Sequence, residues 1–310
     1  MLVLALPGGE RLAARLARLL RCQWSALALH RFPDGEVLVR IDAPVDGRCV
    51  VLAGSLDQPE GKTLPLLFAA DAARELGARQ VGLAAPYLAY LRQDIRFNPG
   101  EAVTSRSYSR LLAGALDFMA TVDPHLHRWH SLGAIYPIRT EAVSAAPRIA
   151  RWLRAHVSRP LLVGPDSESG QWVAEVARLA GAPHIVMSKQ RHGDHEVAVT
   201  LAAPGAWPGR TPVLLDDIIS TGGTLAAAAR ALRQAGLPPP LCIGVHALFA
   251  PDALASLQRA GVSRIVTCDS VPHASNGIAL AAPIARAVCR LAHGGGQARR
   301  LFPLFEEDPP

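Results

Sequence analysis

The chain has 310 residues, half of them apolar and 19% charged, with a net charge of +6. That is enough apolar chain for large cores and for two domains. No apolar run of about 18 residues is free of charge, so nothing reads as a membrane span, and no basic cluster with interleaved aromatics accompanies the positive charge, which leaves an anionic small molecule rather than nucleic acid as the expected partner.

Five cysteines (Cys22, Cys49, Cys242, Cys268 and Cys289) lie far apart with no Cys-x-x-Cys spacing, as expected of reduced core residues in a cytoplasmic protein. Of 32 basic residues only Lys62 and Lys189 are lysine. Where Arg is the default, a Lys can mark a place that needs a compact charge on a flexible stem. Lys62 reads as an ordinary surface residue, whereas Lys189 sits in a charged hairpin.

In chain order, Met1–Leu6 reads as a first strand that breaks at Pro7-Gly8-Gly9, not as a signal peptide, which would need a basic start and a longer apolar region. Arg31-Phe32-Pro33-Asp34-Gly35-Glu36 is a turn entering the alternating strand Val37–Arg40. Val50-Val51-Leu52, a helix from Thr63 to Leu76, and Val81–Ala85 then alternate strand with helix. The same series returns as Val213-Leu214-Leu215, a helix from Thr224 to Gly236, and Ile243–Ala247, with Thr121-Val122-Asp123 matched by Thr267-Cys268-Asp269. Such alternation predicts parallel sheets with helices on both faces, and the repetition predicts a tandem of similar α/β domains. We place the division at 147/148, giving domains 1–147 and 148–310, with Leu161-Leu162-Val163 opening the second. The tail beyond His293 reads as a Gly-rich connection, whose Leu301–Phe305 docks on the body while 306–310 fray.

The most informative stretch runs from Val213 to Leu225. An apolar strand ends in Asp216-Asp217, and Ser220-Thr221-Gly222-Gly223-Thr224 opens an alanine-rich helix. Amides at a helix N-terminus, with no side-chain bulk before them, suit a phosphate. Paired carboxylates suit vicinal sugar hydroxyls. In the first repeat Ala53-Gly54 stand in place of the two acids, so one half can hold a phosphosugar and the other is freed for a different task. Earlier in the second half, Gly164-Pro165-Asp166-Ser167-Glu168-Ser169-Gly170 is a strand-to-helix turn with an acid at its first bend. Lys189-Gln190-Arg191 places two cations on one face of an extended segment, fit to neutralise charge on a transferring phosphoryl group.

The Val213–Leu225 stretch resembles the ribose 5-phosphate loop of the type I phosphoribosyltransferase fold. The remaining motifs, in order, resemble the ribose-phosphate diphosphokinase (phosphoribosyl pyrophosphate synthetase) family across nearly the whole chain. The resemblance implies two type I phosphoribosyltransferase-like domains, each a mainly parallel sheet flanked by helices. The first would serve ATP and oligomerisation and the second ribose 5-phosphate. It implies ATP contacts from Phe32, Asp34 and Glu36 reaching across to a neighbouring subunit, hence a homo-oligomer. In the Pro86–Asp94 segment it assigns Arg92 and Gln93 to the ATP site. After Thr121-Val122-Asp123 it assigns His125 to the metal and the ATP phosphates, and Asp166 to Mg²⁺. Lys189 and Arg191 become the catalytic cations, and Asp216, Asp217, Ser220, Thr221, Gly222, Gly223 and Thr224 the ribose 5-phosphate site. Ser220 stands where many bacterial and animal members carry a third acid, which resembles the archaeal-type branch. Ser167-Glu168-Ser169 departs from the glycine-rich turn of many members.

Two other readings share these features. A phosphoribosyltransferase would lack the duplicated domain, the Phe32 segment and the Lys189 hairpin. A non-catalytic regulatory homologue would be expected to have lost charged residues that are all kept here.

Overall fold

The computed structural model describes residues 1–126, 128–192, 196–200 and 207–293, with the backbone alone at 188–192 and 196–200. The chain divides into two compact units, Met1–Val143 with Leu280–Pro310, and Ser144–Ala279. The tail expected to dock lies outside the described residues, as does the tip of the Lys189 hairpin.

In the first unit, β1 (Leu2–Ala5), α1 (Glu10–Leu20), β2 (Gln23–Ala26), a hairpin of β3 (Ala28–Arg31) and β4 (Val37–Arg40), β5 (Cys49–Ala53), α2 (Pro59–Glu75), β6 (Gln80–Ala84), α3 (Thr104–Ala115), β7 (Phe118–Val122) and β8 (Arg139–Val143) follow one another. Its parallel sheet has the order β2-β1-β5-β6-β7-β8. Leu2 and Leu4, Val50 and Leu52, and Val81 and Leu83 share one core cluster with Leu66, Ala69 and Ala73 of α2 and Leu112 of α3. Strand alternation turns Val3 and Val51 to the opposite face, where α1 lies. That helix has no capping side chain, a loss of about 1 kcal/mol. Burial of Leu16 and Leu20 on its inner stripe, at about 1.5–3 kcal/mol each, outweighs it.

The second unit runs through α4 (Ala146–His156), β9 (Pro160–Gly164), α5 (Gly170–Ala180), β10 (His184–Val186), a hairpin of β11 (Ser188–His192) and β12 (Glu196–Thr200), β13 (Thr211–Ile219), α6 (Gly223–Gln234), β14 (Leu241–Ala247), α7 (Ala253–Arg259), β15 (Arg264–Cys268) and β16 (Asn276–Ile278). Its sheet order is β10-β9-β13-β14-β15-β16. The two units therefore share one strand order, and in both an antiparallel hairpin intervenes between the second and third sheet strands. The tandem of parallel sheets flanked by helices is as the sequence predicts.

The grouping does not follow chain order. The expected second domain, 148–310, included the last helix, α8 (Ala281–His293), but α8 packs against α1, β6, β7 and β8 of the first unit. Arg139 of β8 donates to the Leu291 carbonyl, and Glu141 pairs with Arg290. An apolar stripe says that a helix is buried but not which sheet it covers. Lys62 also differs from its reading as a surface residue. Its ammonium lies 2.7 Å from Asp57 and donates to the Ser55 carbonyl at 3.0 Å, pinning the loop after β5. Cys49, Cys242, Cys268 and Cys289 are buried as expected, Cys22 is only half-buried, and none of the five forms a disulfide. No described helix is long and apolar enough to cross a membrane.

The duplication extends to packing. Gly82 and Gly244 are matched positions on β6 and β14. A Cβ on Gly82 would stand 2.1 Å from Cζ of Phe118, and one on Gly244 2.6 Å from Cγ1 of Ile219. In each unit glycine makes room for a large side chain from an adjacent strand, the following strand β7 in the first unit and the preceding strand β13 in the second. Gly82→Ala and Gly244→Ala should therefore each lower stability by about 1–3 kcal/mol, the range for overpacking. Chemical denaturation measures this, and an unchanged midpoint for either variant would contradict the packing.

Candidate active site

The second unit's sheet reverses its direction of winding at β9 and β13. From β9 the chain passes through α5 to β10 on one side, and from β13 through α6 to β14 on the other. The loops after β9 and β13 therefore diverge and leave a crevice at the carboxyl ends of the strands, the position where open α/β sheets bind ligands. β13 is longer than β9. Its pairing with β9 ends at Leu214, whereas pairing with β14 continues to Ile219. Asp216 and Asp217 lie on this overhang. They sit within the strand rather than after it, with Asp216 opposite Gly244.

Burial pushes the Asp216 carboxyl well above the usual carboxylate range, and repulsion from Asp217 and then Asp166 adds to the rise. Asp216 also helps raise the buried Cys242 thiol, after burial itself. Asp166 lies in the loop directly after β9, where its Oδ1 accepts the Ser169 amide at 3.2 Å and its carbonyl accepts the Ser169 hydroxyl at 2.7 Å. The Ser167-Glu168-Ser169 turn thus closes on itself and leads into α5. Two acids at the end of β13 and one from the loop after β9 converge, and a positive charge placed among them would relieve their repulsion.

Beyond the acids, Ser220 and Thr221 lead to Gly222, which caps α6 with φ +73°. Only glycine adopts that conformation freely, and a Cβ there would also meet Leu257 at 3.2 Å. No capping side chain occupies the start of α6, and Gly223 N–H reaches Thr221 Oγ1 only at 3.5 Å. The first amides of the helix are left to an anion. The loop is braced from behind, since Leu248 donates to the Ile219 carbonyl at 3.0 Å and Ala250 to the Ser220 carbonyl at 3.1 Å. That brace, like Leu257, carries no signal in the sequence, because both are contacts between segments with no motif of their own.

In the first unit, the equivalent crevice has lost these features. α2 begins four residues before Thr63, at Pro59, whereas α6 begins one residue before the matched Thr224. The segment that forms a loop before α6 in the second unit is wound into helix in the first. The nucleotide-assigned residues of this unit lie elsewhere. Phe32 is 40% exposed beside the tip of the β3–β4 hairpin, edge-on to His30 at 4.6 Å. Phe32 N–H donates to the Glu36 carbonyl at 2.9 Å, and Asp34 Oδ1 accepts the Glu36 amide at 3.0 Å. One Asp34 oxygen thus shapes the turn, and its remaining lone pairs can still serve a ligand. Arg92 is exposed and Gln93 half-buried in the loop after β6, and the half-buried His125 follows β7. Lys189 and Arg191 stand on β11, opposite Val199 and Val197 of β12. Their side chains lie outside the described residues.

Among the described residues no group of three His, Cys, Asp or Glu forms a metal cage. The oxygen donors of Asp166 suit a hard cation such as Mg²⁺, which takes one or two carboxylates and completes its shell with water or substrate.

Two parallel sheets of one order, with an acid pair and a glycine-capped helix at the switch point of the second, define a tandem protein of the type I phosphoribosyltransferase fold. Residues 1–115 match the N-terminal domain of ribose phosphate pyrophosphokinase, and residues 136–283 match the phosphoribosyl transferase domain. A ribose-phosphate pyrophosphokinase of Methanopyrus kandleri is 37% identical over 295 residues, covering 94% of this chain and 100% of that protein. One from Methanothermobacter thermautotrophicus is 31% identical over 285 residues, covering 92% and 98%. The crystal structure of phosphoribosylpyrophosphate synthetase from Mycobacterium smegmatis superposes with a TM-score of 0.81 at 23% identity, covering 95% of this chain and 99% of that one, and attests the fold. The chain belongs to the ribose-phosphate pyrophosphokinase family, and both relatives are archaeal, like the branch its loop resembles.

The acid cluster makes a pH-dependent prediction. A carboxyl whose pKa is raised by folding favours the native state fully at pH below its unfolded pKa, and this contribution is lost as pH rises through the folded pKa. Asp216→Asn removes that loss. In metal-free protein, the thermal midpoint of the variant should gain on the wild type as pH rises above about 4, the usual carboxylate range from which the upward shift starts. A constant difference over that rise would contradict the crowding.

Proposed function

We propose that this protein transfers the diphosphoryl group of ATP to the anomeric hydroxyl of ribose 5-phosphate, releasing AMP and forming phosphoribosyl diphosphate. The observation that carries the reading is the asymmetry of the duplication. Only the second unit has, at its switch point, an acid pair leading to a helix capped by a left-handed glycine, Gly222, features that suit a single pentose phosphate. In this reading the 5-phosphate rests on Ser220, Thr221, Gly222, Gly223 and Thr224, and Asp216 and Asp217 accept the 2- and 3-hydroxyls. Fixing both hydroxyls orients the anomeric oxygen for in-line attack on the β-phosphorus. Phe32, Asp34 and Glu36 hold the adenine of an ATP bound to a neighbouring copy, and Arg92, Gln93 and His125 hold the rest of the nucleotide.

Asp166 and His125 would hold Mg²⁺, which when bound neutralises charge on the phosphate oxygens. Lys189 and Arg191 stabilise charge on the group in transit. The chain's own role is positioning and charge compensation, and phosphoryl chemistry asks little more of a protein.

Phosphorus NMR of the protein with Mg-ATP and ribose 5-phosphate should show AMP and a new diphosphate ester. ADP and a monophosphate ester would refute diphosphoryl transfer. Lys189→Ala should lower kcat by about 10²–10³, the scale for removing a charge-stabilising group, while changing the dissociation constant of ribose 5-phosphate less than about threefold. Equal losses in both would remove Lys189 from the chemistry.

A further inference from the structure

We propose that Arg128 and Asp94 form a charged clip that positions the nucleotide-binding loops of the first unit, Arg128 being a positioning residue rather than an ATP ligand. The proposal rests on the roles given above to Arg92, Gln93 and His125. Asp94 follows Gln93 directly, and Arg128 lies three residues beyond His125. Their side chains meet at 2.8 Å, Nη1 to Oδ1. The Asp94 side chain is 2% exposed and that of Arg128 51%, so the carboxylate is inside and the cation comes to it from the surface.

The second Asp94 oxygen, Oδ2, is buried and makes no hydrogen bond. Among the described residues the charge of Asp94 is therefore answered through one oxygen, by the Arg128 guanidinium. A buried carboxylate deprived of its partner keeps its desolvation cost without compensation, so the loop after β6 is held to wherever Arg128 stands. The same guanidinium lies 5.6 Å from the centre of the Phe97 ring, a cation–π distance. A parallel crossing is made by Arg106, 5.4 Å from the ring of Trp129, and the Ser105 amide donates to the Gln93 carbonyl at 3.3 Å. The buried Ser105 Oγ and Trp129 Nε1 make no hydrogen bond, so they offer no substitute for the ion pair.

Both tied segments are irregular where described. Residues 85–103 and the described residues of 123–131 contain no helix or strand, so no ladder of regular structure holds Arg92, Gln93 or His125. Their relative placement depends on tertiary ties, and displacements of about 1 Å at such groups can cost as much as 10²-fold in rate. The clip joins the two segments at the residues next to those that serve the nucleotide.

The test compares Arg128→Met, Arg128→Lys and the double variant Arg128→Met/Asp94→Asn by steady-state kinetics, thermal midpoint and backbone hydrogen exchange of the ligand-free full chain. Arg128→Met should raise KM for ATP about tenfold and leave KM for ribose 5-phosphate within about twofold. Arg128→Lys should stay close to the wild type. The double variant, which no longer buries an unpaired charge, should recover the thermal midpoint while its KM for ATP stays high. Recovery of both quantities together, or an equal rise of both KM values in Arg128→Met, would make the pair merely structural and overturn the proposal. Hydrogen exchange separates this proposal from the reaction assignment. Faster exchange in 92–98 and 123–130 of Arg128→Met supports the clip even if the wild type fails to turn over these substrates, and unchanged exchange refutes it.

Discussion

The second unit is organised around a repulsion. Asp216, Asp217 and Asp166 reach one crevice, and the most enclosed of them is held well above the usual carboxylate range by burial and by the other two. Left empty, such a cluster opposes folding as pH rises, because ionisation adds like charges in a desolvated place. Hydroxyl donors or a hard cation relieve it, which is the basis for proposing a polyol or a metal-bound anion there. The glycine-capped start of α6 adds a positive helix end a few residues along the chain. Acids for hydroxyls beside amides for phosphate describe both ends of a sugar phosphate.

The duplicated fold shows how one architecture was given two tasks. Strand order, hairpin slot and the packing glycines Gly82 and Gly244 repeat, so the scaffold is common. The changes fall at the carboxyl ends of the strands. Ala53-Gly54 replace the acids, and Pro59, whose fixed φ and missing amide suit the first turn of a helix, starts α2 a turn earlier. The loop left by that change is pinned by Lys62 through Asp57 and the Ser55 carbonyl. The first unit thus has a helix turn where the second has a loop, and in the proposed reading its nucleotide-binding residues lie on the hairpin and in the loops after β6 and β7.

Much of this was legible in the sequence. Short apolar runs alternating with longer amphipathic segments fix a parallel α/β design, and the repeat of Val-Gly-Leu by Ile-Gly-Val exposes the duplication. The Asp216–Thr224 stretch announced itself because its chemistry is local: acids, hydroxyls and glycines follow one another within nine residues at a strand end and the helix start after it. What the sequence hid is tertiary. The stripe of α8 does not say that it covers the first sheet, and Lys62 gives no sign that Asp57 and Ser55 surround it. Asp94 reads as an ordinary loop acid until Arg128, distant in sequence, is seen to neutralise it. The Asp216 environment likewise depends on Asp166, which sits in a different loop.

The central claim is that one crevice, in the second unit alone, takes the pentose phosphate. Isothermal titration of the full chain with ribose 5-phosphate tests it most directly. The account predicts one bound molecule per chain, heat that vanishes in Asp217→Asn, and a stoichiometry unchanged in Lys62→Met. Two molecules per chain, or binding that survives the loss of Asp217 and disappears with Lys62, would contradict it.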